Sequence, residues 1–307
     1  MQKLKINKNL VEKILELKKK RDAVILVHNY QIGEVQDIAD YTGDSLELSR
    51  TASKTNADVI VFCGVRFMAE TASILCPDKL VLMPDVNAGC PMADMITRDG
   101  LKALKKDHPK ATVVGYINTS AEVKTEIDIC CTSGNAVKVI ESLKDATEII
   151  FVPDKYLGHY VSVKANRDLI LWDGYCPVHA KILPEDITRQ RKAHPKAKVI
   201  VHPECTPQVI KLADEVLSTS GMCKYARLSG ASEIIVGTEK GMLYRLCKEN
   251  PRKNFYPLSE RAICPNMKLT TLEKALWCLE DIKYEVKVPE DIRIRASRAV
   301  DRMLEVL

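Results

Sequence analysis

A pattern of about 87 residues recurs three times along this 307-residue chain, and it restricts the fold more than any other feature. The apolar run ending Ile25-Leu26-Val27-His28-Asn29-Tyr30 returns as Val113-Val114-Gly115-Tyr116-Ile117-Asn118, then as Val199-Ile200-Val201-His202-Pro203-Glu204. His28 to Tyr116 is 88 positions, and Tyr116 to His202 is 86. Further elements hold the same phase. Asp40 precedes Ser45, Asp128 precedes Ser133 and Asp214 precedes Thr219, each pair with four residues between. Second strands are predicted over 59–62, 148–152 and 233–236, and third strands over 80–83, 169–172 and 255–258. A Cys-Pro pair closes each copy: Cys90-Pro91, Cys176-Pro177 and Cys264-Pro265, with the cysteines 86 and 88 apart. Typical strand and helix lengths make any α/β chain repeat loosely. They do not keep hydroxyls, carboxylates and Cys-Pro pairs in register.

Length alone suggests about two domains, and the repeat raises that to three. Short β-branched runs alternate with helical stretches such as 45–55, as parallel strands covered on both faces require. The predicted fold is α/β: three homologous αβα-sandwich domains with small parallel sheets arranged around a pseudo-threefold axis. The first repeat, with an amphipathic helix over 10–20, is assigned to 1–107, the second to 108–194 and the third to 195–288. A closing helix within 289–307 packs back on the body. The opening stretch Met1 to Lys8 has no signal-peptide character, and no run reaches the roughly 18 apolar residues of a membrane span. A net charge of +5 from 46 basic and 41 acidic side chains is too diluted to argue for nucleic acid. A cytoplasmic monomer is expected, with its 11 cysteines reduced.

Every phased residue lies just beyond a strand or at a helix start, where open parallel sheets bind ligands. Three such ends around one axis would bring three loops, and three cysteines, to one point. Thiolates suit iron–sulfur clusters or zinc, and the local Cys pairs of structural zinc are absent. Cys90, Cys176 and Cys264 are therefore expected to hold a [4Fe–4S] cluster with one open iron acting as a Lewis acid. The other eight cysteines are read as small buried hydrophobes. Around the cluster, His28 with Tyr30, Tyr116 with Asn118, and His202 with Glu204 form pairs at i and i+2 that share one side of an extended chain. Histidine, tyrosine and glutamate are proton-transfer groups, and asparagine orients. Ser45, Ser133 and Thr219 read either as helix N-caps or as hydroxyls that bind carboxylate or phosphate. His108 and His194 suit surface or capping roles, as a structural role suits His159. His179, three residues past Cys176, is ambiguous.

These residues resemble the quinolinate synthase family. The resemblance rests on His28-Asn-Tyr-Gln31, Cys63-Gly-Val-Arg-Phe-Met-Ala-Glu70, Asn87-Ala-Gly-Cys-Pro-Met-Ala-Asp94 and Tyr116-Ile-Asn-Thr-Ser-Ala-Glu-Val-Lys124. It continues through Cys131-Thr-Ser-Gly-Asn-Ala136, Pro153-Asp-Lys-Tyr-Leu-Gly158, His202-Pro-Glu-Cys205 and Cys264-Pro-Asn-Met-Lys268, in order from about residue 22 to 280. It implies a de novo NAD-biosynthetic enzyme that condenses iminoaspartate with dihydroxyacetone phosphate, releasing phosphate and water. A functional link to an aspartate oxidase or dehydrogenase goes with it. By motif match, Tyr30 and Glu204 are the principal acid–base groups, and His28, His202 and Tyr116 assist. Asn118, Ser45, Ser133, Thr219 and neighbouring Ser218 contact the substrate. Family members with a Cys-x2-Cys-x2-Cys string at the third ligand have no counterpart here, where Cys264 stands alone. Two other readings compete: an iron–sulfur redox carrier or sensor, and a metal-free sugar-phosphate binding module.

Overall fold

The computed structural model describes residues 8–306 and builds one eight-element unit three times. The first unit runs α1 (Lys8–Lys20), β1 (Ala23–His28), α2 (Gly33–Asp37), β2 (Tyr41–Gly43), α3 (Ser45–Lys54), β3 (Val59–Cys63), α4 (Arg66–Leu75) and β4 (Leu80–Leu82). The second runs α5 (Arg98–Asp107), β5 (Thr112–Tyr116), α6 (Ala121–Lys124), β6 (Ile129–Cys131), α7 (Ala136–Ser142), β7 (Ile149–Val152), α8 (Lys155–Ala165) and β8 (Ile170–Leu171). The third runs α9 (Pro184–Ala193), β9 (Lys198–Val201), α10 (Pro207–Leu212), β10 (Glu215–Val216), α11 (Thr219–Leu228), β11 (Glu233–Gly237), α12 (Met242–Glu249) and β12 (Asn254–Pro257). Helices α13 (Leu272–Asp281) and α14 (Glu290–Glu305) follow. The stretch Met1 to Asn7 and Leu307 lie outside the described residues.

The sheets have the orders β2-β1-β3-β4, β6-β5-β7-β8 and β10-β9-β11-β12, all parallel. Successive side chains along the strands of the first and third sheets enter different cores, one on each face. In the third sheet Val199, Val201 and Ile235 pack on one side, and Ile200, Ile234 and Val236 on the other. Each such side chain contributes about 1.5–3 kcal/mol through burial. Val24, Leu26 and Ile60 of the first sheet share an apolar cluster with Val114 and Phe151 of the second. Helix α13 returns to pack on α1 and β3, and α14 lies against α4, α6 and β6.

Two main-chain devices repeat three times. Asp40, Asp128 and Asp214 each accept, through a side-chain oxygen, the backbone N–H of Ile25, Val113 and Val199, at 2.8, 2.8 and 2.7 Å. Each aspartate's own N–H returns to the carbonyl of the same partner. The phased aspartates are thus structural staples at the start of the first strand. Likewise Arg66, Lys155 and Lys240 donate their N–H to the carbonyls of Ala88, Gly174 and Ala262, each at 2.8 Å. Those carbonyls lie two residues before Cys90, Cys176 and Cys264, so each cysteine loop is anchored to the start of the preceding helix segment.

The edge strands β2, β6 and β10, two or three residues long, were not expected, because so few residues give no alternation to read. The hydroxyl N-cap reading also needs correcting. Asp44 caps α3 and Ser218 caps α11, leaving Ser45 and Thr219 at the first helical position, while Ser133 sits three residues ahead of α7.

Candidate active site

The C-terminal ends of the three sheets face one internal cavity. It is lined by His28, Tyr30 and Ser45 from the first unit, by Tyr116, Asn118 and Ser133 from the second, and by His202, Glu204 and Thr219 from the third. Cys90, Cys176 and Cys264 reach the same wall, with His179 and Glu239, and Phe67 and Met267 supply apolar surface. The sequence-predicted site residues therefore converge, apart from Ser218, whose hydroxyl accepts the N–H of Gly221 as a helix cap.

A chain of hydrogen bonds crosses the cavity. The Tyr30 hydroxyl lies 2.6 Å from Thr238 Oγ1, which is 2.8 Å from His179 Nε2. His179 Nδ1 meets Glu204 Oε2 at 2.7 Å, and Glu204 Oε1 accepts from the Tyr116 hydroxyl at 2.5 Å. Two tyrosines from different repeats are thereby joined through Thr238, His179 and Glu204. Burial, reinforced by the Glu204 charge, pushes both phenols well above their ordinary value, so they stand protonated. Burial alone would raise the Glu204 carboxyl. His179 outweighs it, with the hydrogen bonds from His179 and Tyr116, and Glu204 is held ionised.

His28 and His202 are built alike. Each ring Nδ1 lies where it accepts the backbone N–H two residues on, Tyr30 at 3.2 Å and Glu204 at 3.4 Å. That bond places the ring proton on Nε2. Burial lowers both histidines to about 3, so they are neutral donors at neutral pH. His202 Nε2 is 3.1 Å from the Ser133 hydroxyl. Fully buried Lys124 donates to the carbonyls of Ile117 and Thr119, bracketing Asn118, whose Oδ1 is buried without a partner. Lys268 donates to the Tyr30 carbonyl and pairs with Glu239 at 2.9 Å, and Glu239 in turn accepts the Cys264 N–H at 3.1 Å.

Metal-ligating atoms gather differently from the expected set. Cys176, His179 and Glu204 place ligand atoms within 4.8 Å of one another. A thiolate, an imidazole and a carboxylate suit a zinc or ferrous ion with an open coordination position. The expectation of a [4Fe–4S] cluster on Cys90, Cys176 and Cys264 with one open iron is corrected accordingly. The repeat brings three thiols to one wall, but among the described residues the third-unit carboxylate and His179 are what meet Cys176. Burial pushes the Cys90 thiol up to about 12 and raises Cys176 and Cys264, so each stands as a neutral thiol until a metal ion displaces its proton.

Of the remaining cysteines, seven are buried and Cys247 is exposed. His108 and His194 close α5 and α9 as C-caps. His179 was visible in the sequence only as a neighbour of Cys176. Thr238 and Glu239 carried no signal, and Lys124 stood out only as the end of a matched string, since their roles depend on partners in other units or on local carbonyls.

A family model described as quinolinate synthetase A protein matches residues 12–305. The quinolinate synthase of Dehalococcoides mccartyi (strain CBDB1) is 60% identical over 295 residues, covering 96% of this chain and 97% of the relative. That of Thermodesulfovibrio yellowstonii is 57% identical over 298 residues, covering 97% and 98%. That of Methanosarcina barkeri is 54% identical over 297 residues, covering 97% of each. No helix among the described residues is long and apolar enough to cross a membrane.

Proposed function

The chain belongs to the quinolinate synthetase A family of NAD-biosynthetic enzymes, and from that premise we propose that it condenses iminoaspartate with dihydroxyacetone phosphate to quinolinate, releasing phosphate and water. The observation that carries this reading is the hydrogen-bonded chain from Tyr30 through Thr238, His179 and Glu204 to Tyr116. Condensation and dehydration need protons removed from carbon and delivered to departing oxygens. Glu204, held as a carboxylate, is the base. Tyr30 and Tyr116, held as neutral phenols, are the acids, and the chain between them lets a proton taken at one end be replaced at the other.

Both substrates are anionic. Neutral His28 and His202 offer Nε2–H donors, and Ser45, Ser133 and Thr219 offer hydroxyls, so the cavity binds carboxylate and phosphate oxygens without a large excess of cationic side chains. Asn118 orients the bound intermediate with its amide. A metal ion on Cys176, His179 and Glu204 would supply a Lewis acid in place of the relay, because it would draw on the His179 and Glu204 groups that the relay joins. Because iminoaspartate is the imine of aspartate, an aspartate-oxidising enzyme must supply it.

The test is quinolinate formation from the two substrates under anaerobic conditions. Tyr30→Phe and Glu204→Gln should each lower turnover by about a hundredfold or more while thermal midpoints hold. Turnover equal to wild type in both variants would remove these groups from the acid–base role. No quinolinate from the wild-type protein would overturn the reaction itself.

A further inference from the structure

Asn29 follows His28 just beyond β1 and is not among the residues that line the cavity. It is fully buried at the boundary between the first and third units. Its side chain has two partners. Arg245 of α12 donates from Nη1 to Asn29 Oδ1 at 2.8 Å, and Asn29 Nδ2 donates to Thr219 Oγ1 at 2.9 Å. Arg245 is itself fixed by the Thr42 carbonyl at 2.8 Å and by Glu249 at 2.6 Å.

The order of donors along this chain has one solution. A guanidinium carries only donors, so the amide oxygen of Asn29 must face it and the NH₂ must face Thr219. The Thr219 oxygen then receives a hydrogen from behind. Its own hydrogen needs an acceptor elsewhere, and among the described residues Thr219 has no second partner. Thr219 lines the cavity. Its hydrogen is thereby directed at the cavity, toward an anionic oxygen.

We propose that Arg245 and Asn29 are positioning residues that fix the hydrogen-bond polarity of Thr219, making it an obligate donor to a carboxylate or phosphate oxygen in the cavity. The ligand class rests on the proposed function. The polarity rests on the donor inventory alone.

Asn29→Asp tests the polarity nearly isosterically. One carboxylate oxygen keeps the bond to Arg245. The other now accepts the Thr219 hydrogen, turning the threonine lone pairs toward the ligand. Quinolinate affinity, measured by calorimetry, should fall about tenfold or more. The thermal midpoint should not fall, because the Arg245 contact becomes an ion pair. Arg245→Met should weaken quinolinate binding several-fold by letting the amide flip, and Arg245→Lys, another donor without acceptors, should restore part of the loss.

The deciding comparison repeats Asn29→Asp in a Thr219→Val background, where it should change affinity less than about twofold. An equal loss with and without the threonine hydroxyl would mean plain charge repulsion and would overturn the proposal. Unchanged affinity in Asn29→Asp would overturn it as well. A wild-type protein that does not bind quinolinate would instead refute the proposed function, and the same cycle is then read with inorganic phosphate. If phosphate is not held either, both ideas fail.

Discussion

His28 gives a sharp prediction about acid. Its ring is buried and its Nδ1 accepts the Tyr30 N–H at 3.2 Å, so a proton arriving there would oppose a donor already in place. Burial sets the folded-state value at about 3, against an ordinary 6.5. Between these values the unfolded chain binds a proton that the folded protein refuses. Stability is therefore fully present above 6.5 and is lost as the pH falls toward 3. At pH 5 the folded ring is still neutral, and the loss is about 1.36 kcal/mol times the 1.5 units below 6.5, or roughly 2 kcal/mol. At roughly 2–4 °C per kcal/mol for a large chain, this lowers the thermal midpoint by about 4–8 °C between pH 7 and pH 5. His28→Asn isolates the effect, because an asparagine oxygen can accept the same N–H two residues on and does not titrate. The variant should lose about 2 kcal/mol less than wild type over that interval. Equal pH dependence in the two proteins would refute the reasoning. So would a His28 ring that titrates above pH 5 by NMR.

Two further predictions follow from the repeated framework. Asp40→Ala, Asp128→Ala and Asp214→Ala each strip one partner from a strand N–H and should each cost about 1–2 kcal/mol in chemical unfolding, with quinolinate affinity unchanged; a variant that lost affinity and kept stability would make that aspartate a site residue. Metal analysis after anaerobic purification should find Cys176→Ala depleted and Cys247→Ala, on the exposed face of α12, like wild type; depletion in Cys90→Ala and Cys264→Ala as well would widen the ligand set beyond Cys176, His179 and Glu204.

Periodicity made the fold legible where a side chain had to repeat. The twelve-strand plan follows from three copies of one pattern, and nine of those strands fall within apolar runs that the three copies share. The other three, β2, β6 and β10, are held by pairing with β1, β5 and β9, not by their own composition. The phase of Asp40, Asp128 and Asp214 was equally plain, yet its meaning was not. A carboxylate that binds a ligand and one that binds a strand N–H look the same in sequence. The cysteines pose the same difficulty in reverse. Equal spacing placed three of them on one wall, but which atoms meet across it depends on His179, which has no repeated counterpart. The Arg245–Asn29–Thr219 chain was out of reach for a simpler reason. Its members lie 190 and 216 positions apart, and only docking of the first unit on the third joins them.

A threefold scaffold here holds an asymmetric site. The bonds that repeat without change are main-chain anchors outside the cavity: the aspartate staples, and the N–H to carbonyl links behind each cysteine. The positions that face the cavity diverge. The first pair member is His28, Tyr116 or His202, and the second is Tyr30, Asn118 or Glu204. Two residues past β3, β7 and β11 stand Val65, Asp154 and Glu239, which differ in charge as well as shape: Val65 and Glu239 line the cavity, and Asp154 caps α8. Val65 has no charge to give. Burial and the Glu204 charge raise Asp154 well above its ordinary value, so it stays neutral, while Glu239 is paired with Lys268. Glu204, buried and ionised, faces the cavity with His179 and Tyr116 as its partners. A carboxylate so placed can serve as a base toward an anionic substrate only if donors on the other walls hold the substrate's own charges away from it. Neutral His28, Ser45 and Thr219, contributed by the first and third units, meet that requirement, and the Arg245–Asn29 chain keeps Thr219 on the donating side.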